Sequence, residues 1–114
     1  MFEYWIRTDL KRMPEVKTLN GRHFSQDEDA NKIGVEVTEN GLPVTLTGTV
    51  SANIVRANGT TVTVSGSKSQ NKAWVVLPAS AYSVVGKVGI FLKLTNGTQV
   101  TTLGALEAYV YKTA

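Results

Sequence analysis

The chain has no cysteine, which removes disulfide frameworks, thiolate zinc sites, iron–sulfur clusters and thiol nucleophiles together. Histidine occurs once, at His23, so a catalytic triad has a single candidate base, and no Gly-x-Ser-x-Gly elbow surrounds any serine to supply its nucleophile. Long apolar runs are missing too. The opening "MFEYWIRTDLKR" is broken by Glu3 and Arg7 and makes neither a signal-peptide core nor a membrane span, so the chain reads as soluble and unprocessed. No window longer than ten residues shows apolar spacing of three and four, which argues against helices. From Asn40 to Leu106 there is no acid at all, while Arg56, Lys68, Lys72, Lys87 and Lys93 are basic.

What the sequence has in quantity is valine, threonine and turn dipeptides. Its 114 residues and 42% hydrophobic content suit one domain with one modest core. Asn-Gly stands at residues 20–21, 40–41, 58–59 and 96–97, the strongest short-range hairpin signal, because a type I′ turn needs positive φ at both central residues. Around the Asn58-Gly59 turn, "TVSANIVR" sets Val50, Ala52 and Ile54 on one face and "TVTVSG" returns with Val62 and Val64. "IGVEVT", "KAWVVL", "KVGIFLKL" and "ALEAYVYK" alternate in the same way. Many short strands joined by turns predict an all-β, immunoglobulin-like two-sheet antiparallel sandwich. Its expected core is Val35, Val37, Leu46, Val50, Ile54, Val62, Val64, Val75, Leu77, Val88, Ile90, Leu92 and Val110. Residues 1–32 read as an N-terminal arm and a loop into the first core strand, with one short strand around Val16 to Leu19, and residues 33–114 as the sandwich. In "LPASAYSVVG", Tyr82 fits a tyrosine corner, and Pro78 suits the first turn of a short helical segment.

Candidate chemistry is thin. "SQDEDANK" begins like an EF-hand loop, but Lys32 and Thr38 stand where that loop needs Gly and Glu, and a strand follows it. Its Asp and Asn side chains suit a turn, bonding to backbone amides ahead of them. No Gly-rich phosphate cradle precedes a helix, and the carboxylates do not flank a cleft. The calculated pI of 9.3 rests on scattered single bases with no aromatic–basic interleaving, so no nucleic-acid partner is expected. No enzyme activity, metal or cofactor is expected either. Trp5 and Trp74 offer flat faces for sugar stacking, although Trp74 lies in a run apolar on both faces that suits burial or an interface better.

Several stretches together resemble a known family. They are Gln26, Asp27, Ala30 and Asn31, then "LTG" at Leu46 to Gly48, the strand pair about Asn58-Gly59, and "LPASAY" through Gly86. In order and spacing, from about Phe24 to Tyr111, the chain resembles the N-terminal immunoglobulin-like domain of phage baseplate upper proteins. The resemblance implies a non-catalytic virion component, assembled in the host cytoplasm, that holds receptor-binding or tail-fibre proteins and forms oligomers, by analogy trimers. Members usually continue into coiled-coil or fibre-binding segments, whereas this sequence ends at Ala114. The acids Asp27, Glu28, Asp29, Glu36 and Glu39 predict an acidic edge facing a basic body. The interface candidates are Phe2, Tyr4 and Trp5 on the arm, Asp27, Glu28 and Asp29 in the loop, and Trp74. A carbohydrate-binding module of the sandwich type is the competing expectation.

Overall fold

The computed structural model describes residues 3–11, the strand at 16–25, and residues 31–112. Two sheets pack face to face. In the first, the order is β1 (Glu3–Asp9), β3 (Lys32–Glu39), β8 (Lys72–Val76) and β7 (Ser67–Ser69), with the short β4 (Leu42–Pro43) also on β3. In the second, it is β2 (Val16–Ser25), β10 (Gln99–Tyr111), β9 (Gly86–Asn96), β5 (Thr49–Val55) and β6 (Thr61–Ser65). From β3 onward this is the B-E-D and G-F-C-C′ order of an immunoglobulin sandwich. The expected all-β architecture holds, and the only helical element among the described residues is a 3₁₀ turn at Ala79–Tyr82 that follows Pro78.

The N-terminal segment is more regular than an arm with one short strand. It gives one edge strand to each sheet, β1 parallel to β3 and β2 parallel to β10. The charges of β1 disguised its alternation: Glu3, Trp5 and Arg7 point outward, while Tyr4 and Ile6 pack partly buried against the core. Within β2 the pairing jumps from Thr18 opposite Glu107 to His23 opposite Tyr109, leaving residues 19–22 as a bulge. Asn20-Gly21 therefore does not close a hairpin.

The other Asn-Gly pairs do sit at hairpins, by three different routes. Asn40 and Gly41, with φ of 52° and 81°, are the centre of the tight β3–β4 turn, where both residues need the left-handed region. At Asn58-Gly59 only the glycine has positive φ, and Gly59 N donates to Arg56 O, the pattern of a longer loop closed by a left-handed glycine. In the β9–β10 hairpin Asn96 pairs with Gln99, so the turn residues are Gly97 and Thr98.

Alternate residues from both sheets fill the core. Of the expected core, Val62 and Val64 are only half-buried, and the rest is buried. Ile33, Leu103, Leu106 and Tyr82 join it. Each buried aliphatic side chain contributes about 1.5–3 kcal/mol relative to exposure. Leu103 enters through a bulge: the β9 register runs from Thr102 opposite Lys93 to Gly104 opposite Leu92, so one extra residue shifts the phase of β10. Beyond it Ala108 and Val110 are buried and Tyr109 and Tyr111 exposed, as the alternation predicted.

Two polar devices hold the loops at the ends of the sandwich. Asn31, 1% exposed, donates from its backbone N–H (3.3 Å) and its Nδ2 (3.1 Å) to the hydroxyl of Tyr82, and its carbonyl accepts from Leu77 N (2.9 Å). The Tyr82 hydroxyl thus meets backbone as in a tyrosine corner, but backbone of the strand lead-in far away in sequence. At the other end Asp9 accepts from Lys11 N (3.0 Å), Gly41 N (2.9 Å), Asn40 N (3.2 Å) and Thr38 Oγ1 (3.1 Å), tying β1 to the β3–β4 turn.

The amide of Lys11, then those of Gly41 and Asn40 and the Thr38 hydroxyl, draw the Asp9 pKa down from 3.8 to about 2. Because the folded value lies below the unfolded one, this clamp contributes its full stability above about pH 4 and loses it as pH falls through about 2. The acid limb of a thermal-melting profile should therefore flatten in Asp9→Asn between those values. An unchanged limb would remove Asp9 from the account of acid stability.

Candidate functional site: the outer face of the first sheet

The pairing registers lay three rows of side chains across the solvent side of the first sheet. Trp5 lies opposite Gly34, and Gly34 opposite Trp74. Arg7 faces Glu36, which faces Lys72; Glu3 faces Lys32, which faces Val76. With no side chain on Gly34, the Trp5 ring settles over its backbone and buries it. A glycine in a strand interior often marks such a close approach.

The two indoles then meet edge to face, with centroids 6.2 Å apart and planes at 60°. Lys32 Nζ lies 5.3 Å from the Trp74 centroid and 3.9 Å from Glu3 Oε1. Lys72 Nζ lies 5.7 Å from the Trp5 centroid and 3.7 Å from Glu36 Oε1, and Arg7 Nε is 3.3 Å from Glu36 Oε2. Trp5 Nε1 donates to Glu3 Oε1 at 3.1 Å. Both lysines thus touch a ring and a carboxylate.

Individually these contacts are weak, about 0–1 kcal/mol for an exposed ion pair and about 0.5–1 for an exposed cation–π pair. Their effect is geometric. They hold two large aromatic side chains in one arrangement, so a partner docking there would lose little side-chain entropy. Trp and Arg are also the residue types that dominate interface energetics. Trp5 remains 39% exposed and Trp74 half-buried, with Val76 exposed beside them. Chemically, the face offers two ordered indole rings framed by paired charges.

Of the interface candidates, this face brings together Trp5 and Trp74. Tyr4, one residue along β1, turns inward to the core. Phe2, Asp27, Glu28 and Asp29, and with them the turn in "SQDEDANK", lie outside the described residues. The remaining acids of the expected acidic edge are neutralised locally, Glu36 as above and Glu39 by Lys11 at 3.3 Å. His23 lies on β2, opposite Tyr109. Among the described residues no cluster of His, Cys, Asp or Glu could hold a metal ion. The hollow beside Asp9, about 520 Å³, is lined by Asp9, Lys11, Asn40 and Gly41, without the apolar walls of a small-molecule site.

No family model matches this sequence, and no curated protein matches it. Among solved structures, the chain is similar to the N-terminal domain of phage TP901-1 ORF48, with a TM-score of 0.56 at 12% identity over 100% of each chain. The two share a fold. The likeness covers the full length of both chains.

Proposed function

We propose that this chain is a structural protein of a phage virion, part of the baseplate or tail, where it serves as a non-catalytic scaffold for receptor-binding or tail-fibre proteins. The observation that carries this reading is the likeness of fold over the whole of both chains to the N-terminal domain of a phage protein. The sequence resemblance supports it independently. Two of its stretches, the one ending at Asn31 and "LPASAY", meet in space through the bond between Asn31 and Tyr82. On this reading the protein assembles in the host cytoplasm, remains in the virion as an oligomer, and uses the Trp5–Trp74 face to dock a neighbouring baseplate or tail protein. Mass spectrometry of purified, gradient-banded virions tests it: the chain should appear in fixed stoichiometry with other tail proteins, and its absence would overturn the assignment.

The exposed tryptophan pair favours one other reading, a carbohydrate-binding module. Against it, both indoles have an ammonium group near the ring, which a stacking sugar would have to displace. Saturable binding on a glycan array, lost in Trp74→Ala with the fold intact, would favour the module. No binding is the result expected of a virion scaffold.

A further inference from the structure

Apart from the two-residue β4, the strands at sheet edges among the described residues are β1, β7, β2 and β6. An open edge is a template for another strand, and proteins blunt it with charge, brevity or a bulge. β1 carries Glu3, Arg7 and Asp9; β7 is three residues long and holds Lys68; β2 is broken by its bulge. β6 has none of these devices. Its sequence is Thr61-Val62-Thr63-Val64-Ser65, with no charge or proline, in unbroken register with β5.

The hydrogen-bond phase shows what this edge offers. Arg56 N donates to Thr60 O at one end of the β5–β6 ladder and Gly66 N to Val50 O at the other, both at 2.8 Å. Alternation between these points makes Ile54–Val62 and Ala52–Val64 the bonded pairs. The N–H and C=O groups of Thr61, Thr63 and Ser65 therefore point away from β5. Val62 and Val64 face the core yet stay half-buried, because no strand lies beside them to complete their cover.

We propose that β6 is a self-association edge, taken by β6 of a second copy of this chain running antiparallel, with Thr63 facing Thr63 across a two-fold axis. The segment reads almost the same in both directions. Thr61 falls opposite Ser65 of the second copy and Val62 opposite Val64, so the outward amides and carbonyls of both strands meet in about six hydrogen bonds. The inward valines close the gap beside each other. A contact of this kind is isologous and forms a dimer. An unrelated strand would find no charge here to select it, whereas the near-palindrome selects its own copy. The contact does not depend on the virion reading, and a three-fold assembly would use a different surface.

Sedimentation velocity of the full chain from about 10 μM to 1 mM, paired with amide hydrogen exchange, tests the contact. The expected result is a concentration-dependent dimer in which the amides of Thr61, Thr63 and Ser65 gain protection together, by about tenfold or more. Thr63→Pro removes an N–H that β5 does not use, and Thr63→Lys sets like charges opposite each other. Both should weaken association at least about tenfold while the Ile54 and Val64 amides stay protected, and if the proline variant fails to fold the lysine variant decides. A monomer at 1 mM, an assembly that leaves those three amides unprotected, or folded variants that associate like the parent would each overturn the proposal.

Discussion

Tyr82→Ala is expected to cost about 3–5 kcal/mol, the range for emptying a buried aromatic site, and to leave a domain with a total stability of about 5–15 kcal/mol marginal at 37 °C. Tyr82 is fully buried and heads the largest buried side chains of the core. Its ring packs between the sheets, and its hydroxyl accepts both N–H groups of Asn31 that reach it. Tyr82→Phe separates the two roles. It keeps the packing and withdraws the shared acceptor, at a cost of about 1–3 kcal/mol. Asn31→Ala removes the Nδ2 bond but leaves the backbone N–H on the hydroxyl, so the combined variant should cost less than the sum of the singles, with a coupling of about 0.5–3 kcal/mol. Urea unfolding with an unchanged m value measures all four. Strict additivity would mean that the lead-in to β3 is held by something other than this pair.

This anchor was half legible in the sequence. The position of Tyr82 before a strand and the proline ahead of it pointed to a corner, but its partner Asn31 comes from a distant stretch that local pattern cannot reach. The same limit governs the fold. Strands β3, β5, β6, β8 and β9 follow from strict alternation, because one buried face forces a period of two. Leu103 escaped because the bulge there breaks that period, whereas Leu106 is in phase with Ala108 and Val110 and was readable from the alternation of "ALEAYVYK". Asn20-Gly21 looked like the hairpin dipeptides, yet it falls in the bulge of a parallel edge strand, and the dipeptide alone does not tell a turn from a bulge. At the candidate site, Trp5 and Trp74 each stood out alone. What joins them is Gly34, and its role depends on β1 lying parallel to β3, a long-range pairing with no local signature.

Gly34→Ala should therefore change sign with its neighbour. Gly34 has no positive φ, so the backbone admits any residue, and glycine in a strand is less stable than alanine by about 0.5–1 kcal/mol. Were the space above it free, alanine would stabilise β3. The space is occupied: a Cβ at Gly34 would lie 2.7 Å from Cη2 of Trp5 and closer still to Cζ3 and Cε3. The ring has to leave, and on an edge strand it can swing outward, so the cost should fall at the lower end of the overpacking range of about 1–3 kcal/mol. Its departure also breaks the edge-to-face contact with Trp74 and parts Lys72 from its ring. Tryptophan fluorescence should shift to the red as the indole enters water. In a Trp5→Ala background the same Gly34→Ala change should be neutral or stabilising, a reversal that urea unfolding of the four variants would read directly. Equal costs in both backgrounds would show that the ring is not held by Gly34. The reversal also isolates the face from the fold: Gly34→Ala alone remains folded but loses the ordered tryptophan pair. If that pair docks a baseplate neighbour, virions assembled with Gly34→Ala should incorporate the protein poorly, while virions carrying a distant surface change such as Lys93→Ala should incorporate it normally.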